Sequence, residues 1–230
     1  MQIKEAIILA GGLGTRLRSA VPELPKCMAP INGIPFIAYV INYLQEQGIE
    51  KFILSLGYKS DIIIDFINQQ YSSTNFKYSI EKEPLGTGGA ILLACQQTTS
   101  ENIIITNGDT LFKVKLNQLS EVHHQLNATC TLSLKPLENF ERYGVVELNK
   151  NNTIISFKEK QFYKKGLING GMYALHVGSF LQKKLPEKFS FEKEYLEKDY
   201  LNGTMYGSIQ DEYFIDIGIP EDYIKAQKEL

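Results

Sequence analysis

Apolar residues in the first half of this chain alternate between short runs and helical faces. Ala6 to Leu9 is an apolar run ending at a glycine break, the mark of a short buried strand. Between Pro35 and Gly48, Phe36, Ile37, Val40, Ile41 and Leu44 share one helical face; Pro35 suits a first turn and Gly48 a stop. Phe52 to Leu56 reads as a strand, and Ser60 to Ile67 as a helix with Asp61 favourably placed in its first turn. Phe76, Tyr78 and Ile80 alternate as a half-buried strand. A helix over Ala90 to Cys95 and a strand over Ile103 to Thr106 complete the series. Strands and helices in this alternation predict βαβ units around a parallel sheet, with ligands at the carboxyl ends of the strands. The second half is less regular. Ala128 to Leu134, Tyr143 to Leu148 and Ile154 to Phe157 read as strands, another strand follows Asn169-Gly-Gly, and Tyr213 to Ile215 leads to a helix begun by Pro220.

Candidate chemistry gathers at the breaks in this pattern. Gly11, Gly12 and Gly14 follow the first strand, and glycines let backbone turn tightly and approach a ligand closely. Successive amides in such a loop can form a concave anion site, and Thr15, Arg16 and Arg18 add a hydroxyl and two permanent positive charges. Neither familiar glycine motif fits: Leu17 stands where a dinucleotide fingerprint wants glycine or alanine, and no lysine sits where a P-loop needs one. On the loop alone, an ordinary βα turn with a surface arginine stays open. Lys26 lies in a proline-limited loop from Pro22 to Gly33, where its ammonium can be aimed or simply exposed. Gly86, Gly88 and Gly89 form a break before the helix of Ala90 to Cys95, where backbone can be presented to an anion at a helix start or simply lead into the helix. Asp109 ends a buried strand, where it can cap a turn or hold Mg2+ beside phosphates. Glu159 with Lys160, Asn169, and Asp216 close to Pro220 are further polar residues at predicted strand ends.

Composition narrows the partners. With 43% apolar and 22% charged residues the chain can build a core, and its 230 residues are ordinary for one α/β unit. A net charge of −2 gives no support to a nucleic-acid or anionic-membrane surface, so any polyanion must meet cations gathered locally. The three cysteines are odd in number and scattered, as expected of a reducing compartment. A cytoplasmic protein without signal peptide or membrane span is the expectation.

Longer patterns carry a resemblance. L-A-G-G-x-G-T-R-L at Leu9 to Leu17, L-P-K-x-M-x-P at Leu24 to Pro30, the P-x-G-T segment at Pro84, N-G-D at Asn107 to Asp109, Y-G-V at Tyr143, E-K at Glu159, N-G-G at Asn169 and F-x-D-x-G-x-P at Phe214 resemble, in order, the sugar-1-phosphate nucleotidyltransferases. One departure is Cys27, which stands where proline is common. The resemblance implies an α/β fold, a Rossmann-like doubly wound mixed sheet. It implies one domain over 1–230: a nucleotide half to about 128, an inserted sugar-binding lobe from about 129 to 208, and a closing strand and helix. Leu9, Gly11, Gly12, Gly14, Thr15, Arg16, Lys26 and Gly88 would bind the nucleotide. Gly144, Glu159, Lys160 and Asn169 would bind the sugar phosphate, and Asp109 and Asp216 would hold Mg2+. Arg16, Lys26, Asp109 and Lys160 would carry catalysis.

Within the family, the motifs are most similar to the short guanylyltransferases that act on D-glycero-D-manno-heptose 1-phosphate, which implies GTP and that sugar phosphate as substrates. A mannose-1-phosphate guanylyltransferase and a uridylyl- or cytidylyltransferase stay open. A regulatory subunit that senses nucleotide sugars would be expected to lack one or more of Arg16, Lys26, Asp109 and Asp216. Relatives with an added β-helix or acyltransferase domain run past residue 230, so a catalytic unit alone is expected; a homodimer is compatible with it.

Overall fold

The computed structural model describes residues 2–12, 17 and 21–230. In the first half strands and helices alternate: β1 (Glu5–Leu9), a hairpin of β2 (Pro30–Ile31) and β3 (Ile34–Pro35), α1 (Phe36–Glu46), β4 (Lys51–Leu56), α2 (Ser60–Gln70), β5 (Asn75–Ile80), α3 (Gly86–Cys95) and β6 (Asn102–Asn107). There follow β7 (Thr110–Phe112), α4 (Leu116–Gln125), β8 (Cys130–Phe140), β9 (Val145–Leu148), β10 (Ile154–Lys158) and β11 (Tyr163–His176). After α5 (Val177–Leu181), a π-helical turn at Phe191–Leu196 and α6 (Glu197–Asp199), the chain closes with β12 (Met205–Ile209), β13 (Phe214–Asp216) and α7 (Pro220–Glu229). Among the described residues no helix is long and apolar enough to cross a membrane.

One nine-stranded sheet runs through the molecule in the order β10-β9-β11-β6-β1-β4-β5, with β8 paired to β11 and β12 to β8. Strands β6, β1, β4 and β5 are mutually parallel, whereas β11 runs antiparallel to β6, β8 and β9. Segment 129–208, expected as an inserted lobe, therefore adds its strands to the same sheet. Both faces are covered. Ile8 faces Leu54 and Ile104 on the side of α1, α2, α4 and α7, while Ile7 faces Ile53 and Ile105 on the side of α3, α5 and the π-helical turn. This explains the uninterrupted apolar run of β1: neighbouring residues point to opposite faces and both faces are buried. Each such isoleucine contributes about 2 kcal/mol by leaving water.

Three local expectations change. Asn169, Gly170 and Gly171 do not precede a strand but lie inside β11, where pairing with β8 shifts register between Asn169 and Tyr173. Gly171 takes φ +74° at this bulge. The glycines at 86, 88 and 89 are the first turn of α3 rather than a loop before it. In β5 the expected inward alternation fails at its end, because Ser79 is buried and Ile80 is 49% exposed. There the edge strand runs out toward the cavity described next.

Candidate active site

The carboxyl ends of β1, β4, β5 and β6 open onto a cavity of about 770 Å3. Leu9, Gly11 and Gly12 form one wall; Ser55, Gly57 and Tyr58 continue it from β4; Glu81 to Pro84, Gly86 and Thr87 form the opposite rim. Backbone bonds hold these exits together: Ala10 N–H donates to Ser55 O (2.8 Å), Glu81 N–H to Leu56 O (2.8 Å) and Gly108 N–H to Leu9 O (2.8 Å). Glu81 stands half-buried on this rim. Its Oε2 accepts from Leu85 N–H at 2.8 Å, and burial lifts its pKa, opposed by that bond. Its Oε1 lies where a side chain on Gly11 would need to go, 2.7 Å from an added Cβ. A glycine at 11 thus makes room for a carboxylate.

Asp109 sits on this cavity and Asp216 on the next one, and Lys26 joins them. Pro22 and Pro25 lead into a 3-10 turn at Lys26–Met28 whose Cys27 and Met28 are buried, which fixes the chain while leaving the lysine directed outward from the core. The ammonium of Lys26, its side chain only 15% exposed, pairs with Asp109 and lies 3.5 Å from Asp216 Oδ1. Pairing of β13 with β7 sets Asp216 opposite Thr110, and Ile217 N–H donates to Asp109 O at 3.1 Å. Two residues 107 positions apart in sequence thereby share one cation. Burial first, then the charge of Asp109, lifts the pKa of Asp216 above its ordinary value; Lys26 and Gly218 N–H oppose the lift. Cys27 is no nucleophile, since burial, aided by Asp109, pushes its thiol up to about 12.

The second cavity, about 660 Å3, is walled by the ends of β9 and β10, the bulge of β11, β13 and the segment from Ser190 to Glu197. Gly144, Glu159, Lys160 and Asn169 all line it, together with Tyr143, Tyr173 and Lys193. Asn169 is held on both sides: its Oδ1 accepts from Gly171 N–H (3.1 Å) and its Nδ2 donates to Tyr173 OH (2.9 Å). Glu159 and Lys160 lie just past the end of β10, both exposed. The two cavities meet at Asn107 and Glu192, which line both.

A profile of nucleotidyl transferases matches residues 5–230. The chain belongs to the nucleotidyl transferase family. It is 54% identical over 226 residues, 98% of each chain, to the D-glycero-alpha-D-manno-heptose 1-phosphate guanylyltransferase of Aneurinibacillus thermoaerophilus. It is also 46% identical over 220 residues, 95% of this chain and 96% of the other, to the enzyme of the same name from Campylobacter jejuni. The crystal structure of HddC from Yersinia pseudotuberculosis matches with TM-score 0.89 and 38% identity, covering 100% of this chain and 99% of that one. A structure of the same protein complexed with GMP-PN matches at 0.88.

Nucleotidyl transferases generally use a divalent metal, and the residues at the junction of the cavities suit one. Asp109 and Asp216 crowd two carboxylates around one ammonium, and burial, then the charge of Asp109, raises the pKa of Asp216. An all-oxygen pair of this kind suits a hard cation that keeps other ligands from water or phosphate.

Not every described residue singled out in the sequence reaches this nucleotidyl transferase site. Gly14, Thr15 and Arg16, with Arg18, lie outside the described residues. Gly88 is turned away: its N–H donates to Phe189 O at 3.0 Å, and a Cβ there would overlap the Phe189 ring. Gly86 and Thr87 line the cavity in its place. Glu81 and Glu192 were missed. For Glu81 a signal existed, since it is the first residue past a parallel strand, where ligands collect.

Proposed function

We propose that this nucleotidyl transferase transfers a guanylyl group from GTP to D-glycero-D-manno-heptose 1-phosphate, giving GDP-heptose and pyrophosphate. Glu81 is the observation that carries the choice of base. Guanine alone among the four bases presents two adjacent donors, N1–H and the N2 amino group, on its pairing edge, and a carboxylate offers two acceptors. Adenine and cytosine would set a ring-nitrogen acceptor against it; uracil would set carbonyl oxygens on both sides of its single N–H. The names borne by the similar enzymes support the same donor and acceptor.

In the reaction an oxygen of the sugar phosphate attacks the α-phosphorus of GTP in line. The new O–P bond forms as the bond to the β-phosphate oxygen breaks, and its electron pair leaves with pyrophosphate. No covalent enzyme intermediate is needed, so the protein's work is positioning and charge neutralisation. Lys26, between the cavities, meets the α-phosphate; Lys160 meets the attacking phosphate; Arg16 holds the departing pyrophosphate, with Gly14 and Thr15 in the same loop. Asp109 and Asp216 would hold Mg2+, which when bound offsets phosphate charge. With the carboxylates so engaged, Lys26 would be free to turn from them to phosphate. Asn169 and Glu159 offer an amide and an acceptor to sugar hydroxyls. The nucleotide donor puts the reaction in the cytoplasm.

The test is a grid of GTP, ATP, UTP and CTP against heptose, mannose and glucose 1-phosphates, following pyrophosphate release. GTP with the heptose should give the highest kcat/KM, and Glu81→Gln should cost GTP about 10- to 100-fold, the worth of a charge-assisted hydrogen bond. A preference for UTP or CTP would overturn the assignment of base.

A further inference from the structure

Glu192 has no part in the reaction as described, yet it lines both cavities. It belongs to the π-helical turn Phe191–Leu196, capped by Ser190. Glu192 Oε2 accepts from Thr87 Oγ1 at 3.0 Å and from Ser190 Oγ at 3.0 Å. Thr87 Oγ1 in turn accepts from Phe191 N–H at 2.9 Å, which leaves its proton for the carboxylate. Ser190 is fixed as well, its N–H donating to Glu194 Oε2 (2.7 Å) and its Oγ accepting from Lys193 N–H (3.2 Å). The rim of the nucleotide cavity and the wall of the sugar cavity are therefore fastened together through one carboxylate. Both its described hydrogen bonds end on Oε2, so Oε1 is available to a ligand.

We infer that Glu192 is a specificity-determining residue whose carboxylate accepts a hydrogen bond from a ring hydroxyl of the sugar 1-phosphate, with Thr87 as its positioning residue. This rests on the nucleotidyl-transfer reading of the second cavity. A carboxylate repels phosphate, and among the described residues Glu192 does not stand with Asp109 and Asp216 in a group of three that could hold one metal ion. What remains is a neutral donor, and a sugar presents several hydroxyls. Because Thr87 and Ser190 already restrict the carboxylate, little rotamer freedom is lost on binding. A site that pairs a hydroxyl disfavours the analogue that lacks it, because the partly buried acceptor is left unpaired.

The experiment measures kcat/KM for the parent, Glu192→Ala, Glu192→Gln, Thr87→Val and Thr87→Ser. Acceptors are the sugar 1-phosphate that the parent turns over best and its single-deoxy analogues, each ring hydroxyl removed in turn; donors are GTP and its 2′- and 3′-deoxy forms. One deoxy sugar should cost the parent about 10²-fold, the worth of a hydrogen bond to a charged group. Glu192→Ala should suffer that loss on the full sugar and no further loss on that analogue, while losses on the other analogues still multiply. Thr87→Val should show the same pattern at about 10-fold, the lower end for a hydrogen bond to a charged group, and Thr87→Ser should restore it. Glu192→Gln keeps the shape of the side chain, so its pattern decides the matter if the alanine variant does not fold. Equal losses on every acceptor would overturn the inference, and so would non-additivity confined to deoxy-GTP, which would assign Glu192 to the ribose. A parent that forms no nucleotide sugar from any acceptor fails the proposed function instead, before any variant is compared.

Discussion

The two cavities lie on one sheet but are built by different means. The cavity proposed for the nucleotide is made where parallel strands stop: β1, β4, β5 and β6 end side by side, and the short turns that follow supply its walls. The cavity proposed for the sugar phosphate is made where antiparallel strands are bent or offset. It takes Gly144 ahead of β9, Glu159 and Lys160 past β10, Asn169 at a bulge within β11 and Asp216 from β13. A parallel sheet delivers all its carboxyl ends to one edge, so a site there follows from the topology. An antiparallel sheet has no such edge, so its site depends on irregularities and on residues brought from far along the chain. The first kind of site suits a feature shared by many ligands, such as a triphosphate. The second can vary residue by residue with the sugar.

This contrast can be broken at the junction, where the largest effect is expected. Lys26→Ala should lower turnover by about 10²- to 10³-fold, the scale for losing a donor to transition-state charge, with the fold retained by circular dichroism. The same variant should bind divalent cations more tightly without nucleotide, because Asp109 and Asp216 lose their shared ammonium. Unchanged turnover would remove the junction from the mechanism. A middle-sized effect separates two glycines of the parallel half. Gly88→Ala puts a methyl into Phe189 and should cost about 1–3 kcal/mol by overpacking. Gly12→Ala meets nothing within 4 Å among the described residues and should leave thermal stability as it was. Equal melting temperatures for the two would mean that the start of α3 is not clamped by the Phe189 segment.

The smallest effect is electrostatic. A carboxyl whose folded pKa is raised gives stability that is fully present below its unfolded value, about 4, and is lost as pH rises through the folded value. Asp216 is such a group, through burial and the neighbouring Asp109. Without metal or nucleotide, the melting temperature of the parent relative to Asp216→Asn should therefore fall across that window, by about 1–3 °C for a chain of this size. A difference that is flat with pH would contradict the crowding of the two carboxylates.

How much of this was legible follows the same division. The strands and helices of βαβ units announce themselves by local pattern, and β1, α1 and β4 stand within a residue or two of expectation. The helix Leu116–Gln125 gave no such signal. Its buried face is Leu116, Leu119, Ser120 and His123, and the two polar members are satisfied by partners the local pattern does not reveal. Ser120 Oγ donates to Leu116 O at 2.6 Å, and the ring of His123 bonds Thr131 and Asn102 at 2.9 Å each. The bulge at Asn169–Gly171 was equally hidden, because two adjacent glycines read as a loop when the partner strand is unknown. Asp109 and Asp216 were visible as residues, but their meeting on Lys26 depends on the pairing of β7 with β13. Glu81 and Glu192 were passed over because a glutamate near a strand end or in a helix is ordinary until the cavity beside it is seen.

On the proposed function, GTP occupies the parallel-strand cavity and the sugar phosphate the antiparallel one, with Lys26, Asp109 and Asp216 between them. A crystal structure with Mg2+, a non-hydrolysable GTP analogue and D-glycero-D-manno-heptose 1-phosphate tests it most directly. The guanine edge should lie on Glu81, the ion on Asp109 and Asp216, and the sugar against Asn169 and Glu159. A base lodged in the second cavity, or a sugar phosphate bound away from Lys160, would contradict it.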